Sequence, residues 1–147
     1  QFSLPHNIAM FGDDGVIVAD RENHRVQVFS LEGAFRGEWH VHHAVAVVGG
    51  RGEDTSIYVA EQGPPAVQFG VPNLGHRVSV YNRGGELQAR FGAPLPGEAW
   101  EQFLWPHSIG VDSRGDVYVA EVSYTEVGSR LNPAREMTSL RKWRRVD

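Results

Sequence analysis

The sequence contains no cysteine among its 147 residues. The absence of cysteine excludes disulfide bonds and thiolate metal ligands, and it leaves the compartment open because a secreted protein need not carry disulfides. No apolar run approaches the roughly 20 residues that a membrane-spanning helix requires, and no charged-then-apolar leader is visible. The sequence therefore predicts a soluble chain of unknown localisation, without a signal or transmembrane segment.

The sequence also lacks a strong excess of either charge. Its net charge is −4, which gives no general attraction to nucleic acid or to an anionic membrane. One basic cluster near the end is interpreted as a solvated strand face: Arg135, Arg141, Lys142, Arg144 and Arg145. The 41% hydrophobic content, with 17 glycines and 8 prolines, fits a turn-rich, all-β domain.

A repeated pattern organises the chain. Pro5-His6 is followed by an apolar run, an Asp-Gly turn and the strand Val16–Ala19, and the same order returns from Pro106-His107 to Ala120. His6 to Ala19 and His107 to Ala120 both span 13 positions. A middle copy has a longer turn over residues 49–54 and a swollen connection over 62–76. Each copy reads as an antiparallel meander of short strands.

Tandem four-stranded meanders are typical of β-propeller blades. We expect three blades, at about residues 2–41, 42–92 and 103–147, with the outer strand missing from the third. A closed ring needs roughly four to eight blades, so the chain is predicted to form half of a six-bladed ring. A second copy of the chain is the expected partner, and a longer parent protein is the alternative.

Several polar residues are predicted to surround one mouth of the central channel. Histidines precede or open the first strands at His6, His43 and His107, and acids end the second strands at Asp20, Glu61 and Glu121. Converging imidazoles suit Zn²⁺, and the long connections over 62–76 and 122–137 rise on the same side. A structural role, in which the acids accept backbone N–H groups, is the simpler interpretation of the three carboxylates.

The string from Asp20 to Phe29, DRENHRVQVF, resembles the signature of NHL-repeat propellers. With the preceding FSLPHNIAM it is more narrowly similar to the peptidyl-α-hydroxyglycine α-amidating lyase branch of that group, including its bacterial relatives. The resemblance implies a six-bladed ring with a channel zinc, held by His6 and His107 in their Pro-His pairs, and a functional Arg21. It also implies a structural calcium ion.

The resemblance leaves the site incomplete in one copy of the chain. The family's third histidine and catalytic tyrosine come from earlier blades, and its methionine before the last Pro-His is replaced by Leu104 and Trp105. Tyr124, in the last long connection, is the catalytic tyrosine candidate here. The remaining histidines, His24, His40, His42 and His76, are predicted to lie in turns or at the surface, and the four tryptophans to pack between blades.

Three functions stay open on the sequence. The first is a zinc-dependent lyase-like enzyme, active when the ring is closed. The second is a non-catalytic NHL module that binds protein or small-molecule partners, with nucleic acid disfavoured by the acidic balance. The third is a fragment that keeps the fold without activity.

Overall fold

The computed structural model describes residues 1–50 and 54–146 of the chain. Within them it has eleven β-strands, one α-helix of four residues and three single-turn 3-10 helices, so the all-β prediction is confirmed. The predicted turn over 49–54 lies partly outside the described residues, as does the last residue of the third predicted blade. No helix in the described part of the chain is long and apolar enough to span a membrane.

The strands form three antiparallel sheets in chain order. The first sheet holds β1 (Pro5–Met10), β2 (Gly15–Asp20), β3 (Arg25–Ser30) and β4 (Phe35–His40). The second holds β5 (Ala44–Gly49), β6 (Ile57–Glu61), β7 (Arg77–Tyr81) and β8 (Leu87–Phe91). The third holds β9 (Pro106–Val111), β10 (Val117–Glu121) and β11 (Leu140–Trp143), without a fourth strand in the described residues.

The short helices lie in the connections that follow the second strand of each sheet. They are the 3-10 helices Arg21–Asn23, Ala66–Gln68 and Gly128–Arg130, and the helix α1 over Ser123–Glu126. The tight turns depend on glycine where the backbone is left-handed. Gly33 and Gly115 take φ angles of +84° and +80°, which glycine adopts without steric cost.

Three hydrophobic cores join the sheets face to face in the described residues, the first between the first two sheets, and the second and a smaller third between the last two. Ile17 and Ala19 of β2 lie in the first core with Val59 of the second sheet. Tyr58 of β6 lies in the second core with Val119 of the third sheet. Because successive strand residues point to opposite faces, the central strand β6 is buried on both sides, as its apolar sequence predicts.

The outer face of the third sheet is less covered than the sequence pattern suggests. Ala120 of β10 is exposed, because no further sheet packs on that side in the described residues. The tryptophan prediction was wrong for Trp100, which is 80% exposed in the connection before β9. By contrast, Trp39 packs on Tyr81 of the second sheet and Trp143 on Phe91.

Most of the basic cluster near the end of the chain is neutralised by acids. Four of its members form ion pairs: Arg135 with Glu98, Arg141 with Glu121, Lys142 with Asp116 and Arg145 with Asp54. The positive charge predicted from the sequence is therefore largely compensated within the fold.

Candidate functional site

A β-bulge opens the first strand of each sheet. The pairing of β1 with β2 shifts between Pro5 and Asn7, and that of β9 with β10 shifts opposite Glu121, so that His6 and His107 are left out of the ladders. A bulge re-aims a side chain away from its regular direction. Here both bulges turn an imidazole to the same place, where the two ring centroids are 4.8 Å apart at an interplanar angle of 73°.

The tautomer of His6 is fixed by its hydrogen bond. Its Nδ1 lies 2.7 Å from the carbonyl oxygen of Val45, the bulged residue of β5. A carbonyl oxygen only accepts, so Nδ1 carries the proton and Nε2 keeps its lone pair. Metal-ligating histidines commonly donate their second ring N–H in this way.

Arg21 brings a positive charge to the histidine pair. It opens the 3-10 helix directly after β2, and its Nε donates to Glu22 at 2.7 Å while Nη1 donates to the Gln62 side chain at 3.5 Å. Burial, followed by the charges of His6 and Arg21, lowers the pKa of His107. The neutral imidazole, the form that binds metals, is thereby favoured. We call His6, Arg21 and His107 the channel-head cluster.

His43 does not occupy the repeat position of the other two histidines. Pro5, Ala44 and Pro106 each pair with the acid that ends the second strand, so Val45 is the counterpart of His6 and His107. His43 lies two residues earlier and stacks on His24, with ring centroids 4.5 Å apart. The offset was hard to see in the sequence, because the longer turn over residues 49–54 breaks the 13-position spacing that the other two copies share.

The three acids are buried partners of arginines within their own sheets. In each sheet, the acid forms an ion pair with an arginine at the first or second position of the third strand. The pairs are Asp20 with Arg25 at 2.8 Å, Glu61 with Arg77 at 2.7 Å and Glu121 with Arg141 at 2.7 Å. Asp20 also accepts the Ser3 N–H, and Glu121 accepts the N–H groups of Leu104 and Trp105. These backbone contacts of Asp20 and Glu121 fix the entry into β1 and β9.

The pKa of Asp20 reflects the same network. Burial alone raises it, but hydrogen bonds from the Asn23 side chain, the Ser3 N–H and Arg25 outweigh burial, and the pKa of Asp20 is lowered. The carboxylate is therefore held ionised as a hydrogen-bond acceptor for the loop before β1.

Tyr124 lies apart from the channel-head cluster. It belongs to α1, is 43% exposed, and its ring lies beside Gly128. In the part of the chain that the structure describes, no hydrogen bond or ring contact joins Tyr124 to His6, Arg21 or His107.

Some residues at the site were not singled out from the sequence. Gln62 contacts Arg21, and the backbone of Val45 orients His6. His76, predicted as a turn or surface residue, is fully buried and packs on Trp105, with ring centroids 5.1 Å apart. A signal for His76 was present in the sequence, since both His24-Arg25 and His76-Arg77 place a histidine before the arginine of the third strand.

The cluster fits a metal ion in part. His6 and His107 offer two ring nitrogens, and the Val45 carbonyl sets one tautomer correctly. Catalytic zinc sites use three protein ligands. Among residues 1–50 and 54–146, no group of three or more histidine, aspartate or glutamate side chains has an arrangement that could hold a metal ion.

Comparisons with known proteins identify the repeat and related sequences. Residues 2–29 match the NHL repeat family model. The chain is 28% identical to the protein brain tumor of Drosophila melanogaster over 86% of its length, and 30% identical to the B-box type zinc finger protein ncl-1 of Caenorhabditis elegans over 86%. It is 30% identical to peptidyl-glycine alpha-amidating monooxygenase A of Xenopus laevis over 97%.

The chain covers only a small part of these relatives, between 11% and 15% of their lengths. Two solved structures share the fold. Virginiamycin B lyase from Staphylococcus aureus superimposes with a TM-score of 0.58 at 17% identity, over 83% of this chain and 36% of that one. Kuenenia stuttgartiensis hydrazine synthase superimposes with a TM-score of 0.57 at 19% identity, over 79% of this chain and 28% of that one.

The family match falls on the first sheet, whose pattern the other two sheets repeat in their strand order and bulges. The chain therefore carries a match to the NHL repeat over residues 2–29 and is similar to an amidating enzyme along nearly its whole length, and its three sheets correspond to blades of a partial β-propeller.

Proposed function

We propose that the channel-head cluster is part of a zinc-dependent, lyase-like site that cleaves a peptidyl-α-hydroxyglycine type of substrate. The observation that supports this most directly is the pair of bulged histidines, whose ring centroids are 4.8 Å apart, together with the influence of the Arg21 charge on the pKa of His107. The similarity to the amidating monooxygenase over 97% of the chain also supports a lyase-like site.

The residues take separate roles in this proposal. His6, through Nε2, and His107 would hold the zinc ion, and a further ligand would come from outside the described cluster. A bound zinc ion supplies Lewis acidity toward a substrate oxygen. Arg21 would bind the substrate carboxylate, for which a guanidinium is well suited, and its side chain is 26% exposed, so that a ligand can reach it.

The reaction needs no oxidant. The hydroxyl of the substrate loses its proton, the carbon–nitrogen bond breaks with its electron pair passing to nitrogen, and the carbon–oxygen bond becomes a carbonyl. The nitrogen takes up a proton, so the products are an amide and glyoxylate. No proton transfer is assigned to Tyr124, because its ring lies beside Gly128 in its own connection.

Metal binding is the first test. We expect Co²⁺, as a spectroscopic substitute for zinc, to bind the wild-type chain, and His6→Ala or His107→Ala to weaken that binding at least about tenfold through loss of a ligand. His40→Ala is the matched control, since His40 is an exposed histidine on β4. Equal Co²⁺ affinity in all four proteins would contradict the metal site.

The reaction is tested with N-benzoyl-α-hydroxyglycine and detection of glyoxylate. We expect Arg21→Met to raise KM for this substrate by about tenfold or more, because the carboxylate loses a charge-assisted partner. Arg36→Met, which removes an exposed arginine of β4, should leave KM unchanged. No glyoxylate from a preparation that binds metal would contradict the lyase assignment and retain the metal site.

A binding module is the second candidate. The similarity to the brain tumor and ncl-1 proteins supports it, as does the presence of only two histidines in the channel-head cluster. In this case, the chain would present its connections to a protein or small-molecule partner without catalysis. Metal-free protein with unaltered folding in His6→Ala and His107→Ala would favour this alternative, or a fold without activity.

A further inference from the structure

We propose that His76 is a positioning residue for His107, acting through Trp105, the residue immediately before β9. The proposal rests on the proposed function in so far as His107 belongs to the site, but its first test needs neither metal nor substrate. His76 lies at the end of the long connection in the second sheet, 31 positions before His107 in sequence.

His76 is held in place on two sides. Its side chain is fully buried, and its Nδ1 accepts the Gly63 N–H at 3.3 Å, which closes the base of the connection over residues 62–76. A Cβ on Gly63 would lie 2.6 Å from the ring, so the ring has no room to move toward that backbone. Burial lowers the pKa of His76 to about 4, and the ring packs as a neutral imidazole.

The buried ring supports Trp105. The ring centroids of His76 and Trp105 are 5.1 Å apart. The Trp105 backbone is fixed independently, because its N–H donates to Glu121 at 2.8 Å and its carbonyl accepts the Val122 N–H at 3.1 Å. Trp105 is thus clamped between its own sheet and His76, two residues before the bulge that aims His107.

The same device occurs between the first two sheets. His24 precedes Arg25 as His76 precedes Arg77, and its Nδ1 also accepts a backbone N–H, from His43 at 3.2 Å. His24 stacks on His43, which lies two residues before the bulged Val45. Each histidine therefore braces the residue two places before the bulge of the next sheet. Only at the second junction does the braced bulge carry a histidine of the channel-head cluster.

The direct test is the ring spectrum of His107. In His76→Asn, the amide oxygen can replace Nδ1 as acceptor for Gly63, but the flat ring against Trp105 is lost. We expect the His107 ring signals, recorded by ¹H–¹⁵N correlation NMR without metal, to shift in His76→Asn and in Trp105→Leu. Leucine is chosen because Leu4 occupies the counterpart of Trp105 in the first sheet.

His40→Asn is the matched control, since it changes an exposed histidine on β4 rather than one that packs before a bulge. It should leave the His107 signals in place. Unchanged His107 signals in both His76→Asn and Trp105→Leu would overturn the proposal. If His76→Asn does not fold, as judged by circular dichroism, Trp105→Leu alone decides.

A double-mutant cycle on Co²⁺ affinity adds a functional measure. Loss of a residue that orients a metal ligand typically weakens binding about 10- to 100-fold. We expect His76→Asn and Trp105→Leu each to weaken Co²⁺ binding by about tenfold, and the double variant to be no weaker than either. Additive losses would overturn the route through Trp105. A wild-type chain that binds no Co²⁺ would contradict the metal site, while the NMR result would still decide the role of His76.

Discussion

At the scale of single residues, each sheet contains one acid–arginine pair with a buried carboxylate. The pair of Glu61 and Arg77 is the most enclosed of those in the first two sheets, with exposed fractions of 1% and 9% for the two side chains. Glu61 also accepts the Ser79 hydroxyl. The buried Glu61 carboxylate has no access to water, so the stability of the fold depends on its ion pair with Arg77 and its hydrogen bond from Ser79.

We predict that Arg77→Ala lowers the free energy of unfolding by about 3–5 kcal/mol, because it leaves the Glu61 charge buried and unpaired. Urea titration at pH 7 measures this change. The control is Arg36→Ala, which breaks an exposed pair with Asp14 and should change stability little. Similar losses in both variants would contradict a special role for the buried pair. The double variant Arg77→Met with Glu61→Gln should recover part of the loss.

At the scale of elements, the same aromatic position recurs before the first strand of the outer sheets. Phe2 and Phe103 each lie three residues before Pro5 or Pro106, and each contacts the aromatic residue of the third strand. Phe2 packs on Phe29 at 5.8 Å, and Phe103 packs on Trp143 at 4.5 Å. Their surroundings differ, since Phe103 lies fully buried between the second and third sheets, whereas Phe2 is 41% exposed.

We predict unequal costs for the two equivalent substitutions. Phe103→Ala should lower the free energy of unfolding by about 3–5 kcal/mol, because it opens a cavity at a sheet–sheet junction. Phe2→Ala should cost only about 1–2 kcal/mol, because much of its ring already contacts water. Thermal and urea unfolding of both variants measure the difference. Equal costs would show that the outer face of the first sheet is covered in solution.

At the scale of the whole molecule, both end sheets expose a face of the kind that is buried inside the chain. Ile8 and Met10 point away from the first core and are 63% and 54% exposed. On the third sheet, Tyr118 and Ala120 face outward at the positions where Tyr58 and Ala60 of the second sheet meet their neighbour. The chain thus carries both halves of one sheet–sheet contact, which supports the prediction of a second copy as partner.

Light scattering tests that prediction. We expect a mass of about twice 16.3 kDa for the wild-type chain, since closing two such contacts removes the exposed apolar faces from water. Met10→Asp should return the mass to that of one chain. Val67→Asp is the control, because Val67 is 90% exposed on the connection over 62–76 rather than on the end sheet. A wild-type mass of 16.3 kDa would contradict self-association.

The candidate site could be predicted from the sequence only in part. His6 and His107 were found because Pro-His repeats at one spacing, and Arg21 because its turn resembles a family signature. His43 was predicted as a third ligand because it directly precedes the first strand of the second sheet, although the strand pairing shows that Val45 is the counterpart of His6 and His107. His76 was missed because burial depends on Gly63, Phe69 and Trp105, which lie in two separate connections.

By itself the sequence determined the class of the fold, the order of the strands and the repeat. Those features follow from the alternation of polar and apolar residues, from runs of β-branched residues and from turn residues, all of which act over a few neighbouring positions. Only the tertiary structure decided which histidine rings contact one another and which acids form ion pairs with arginines. That outcome depends on three bulges and two sheet–sheet junctions. Sheet packing, which local sequence does not encode, brings the ring centroids of His6 and His107 to 4.8 Å although the two residues are about 100 positions apart.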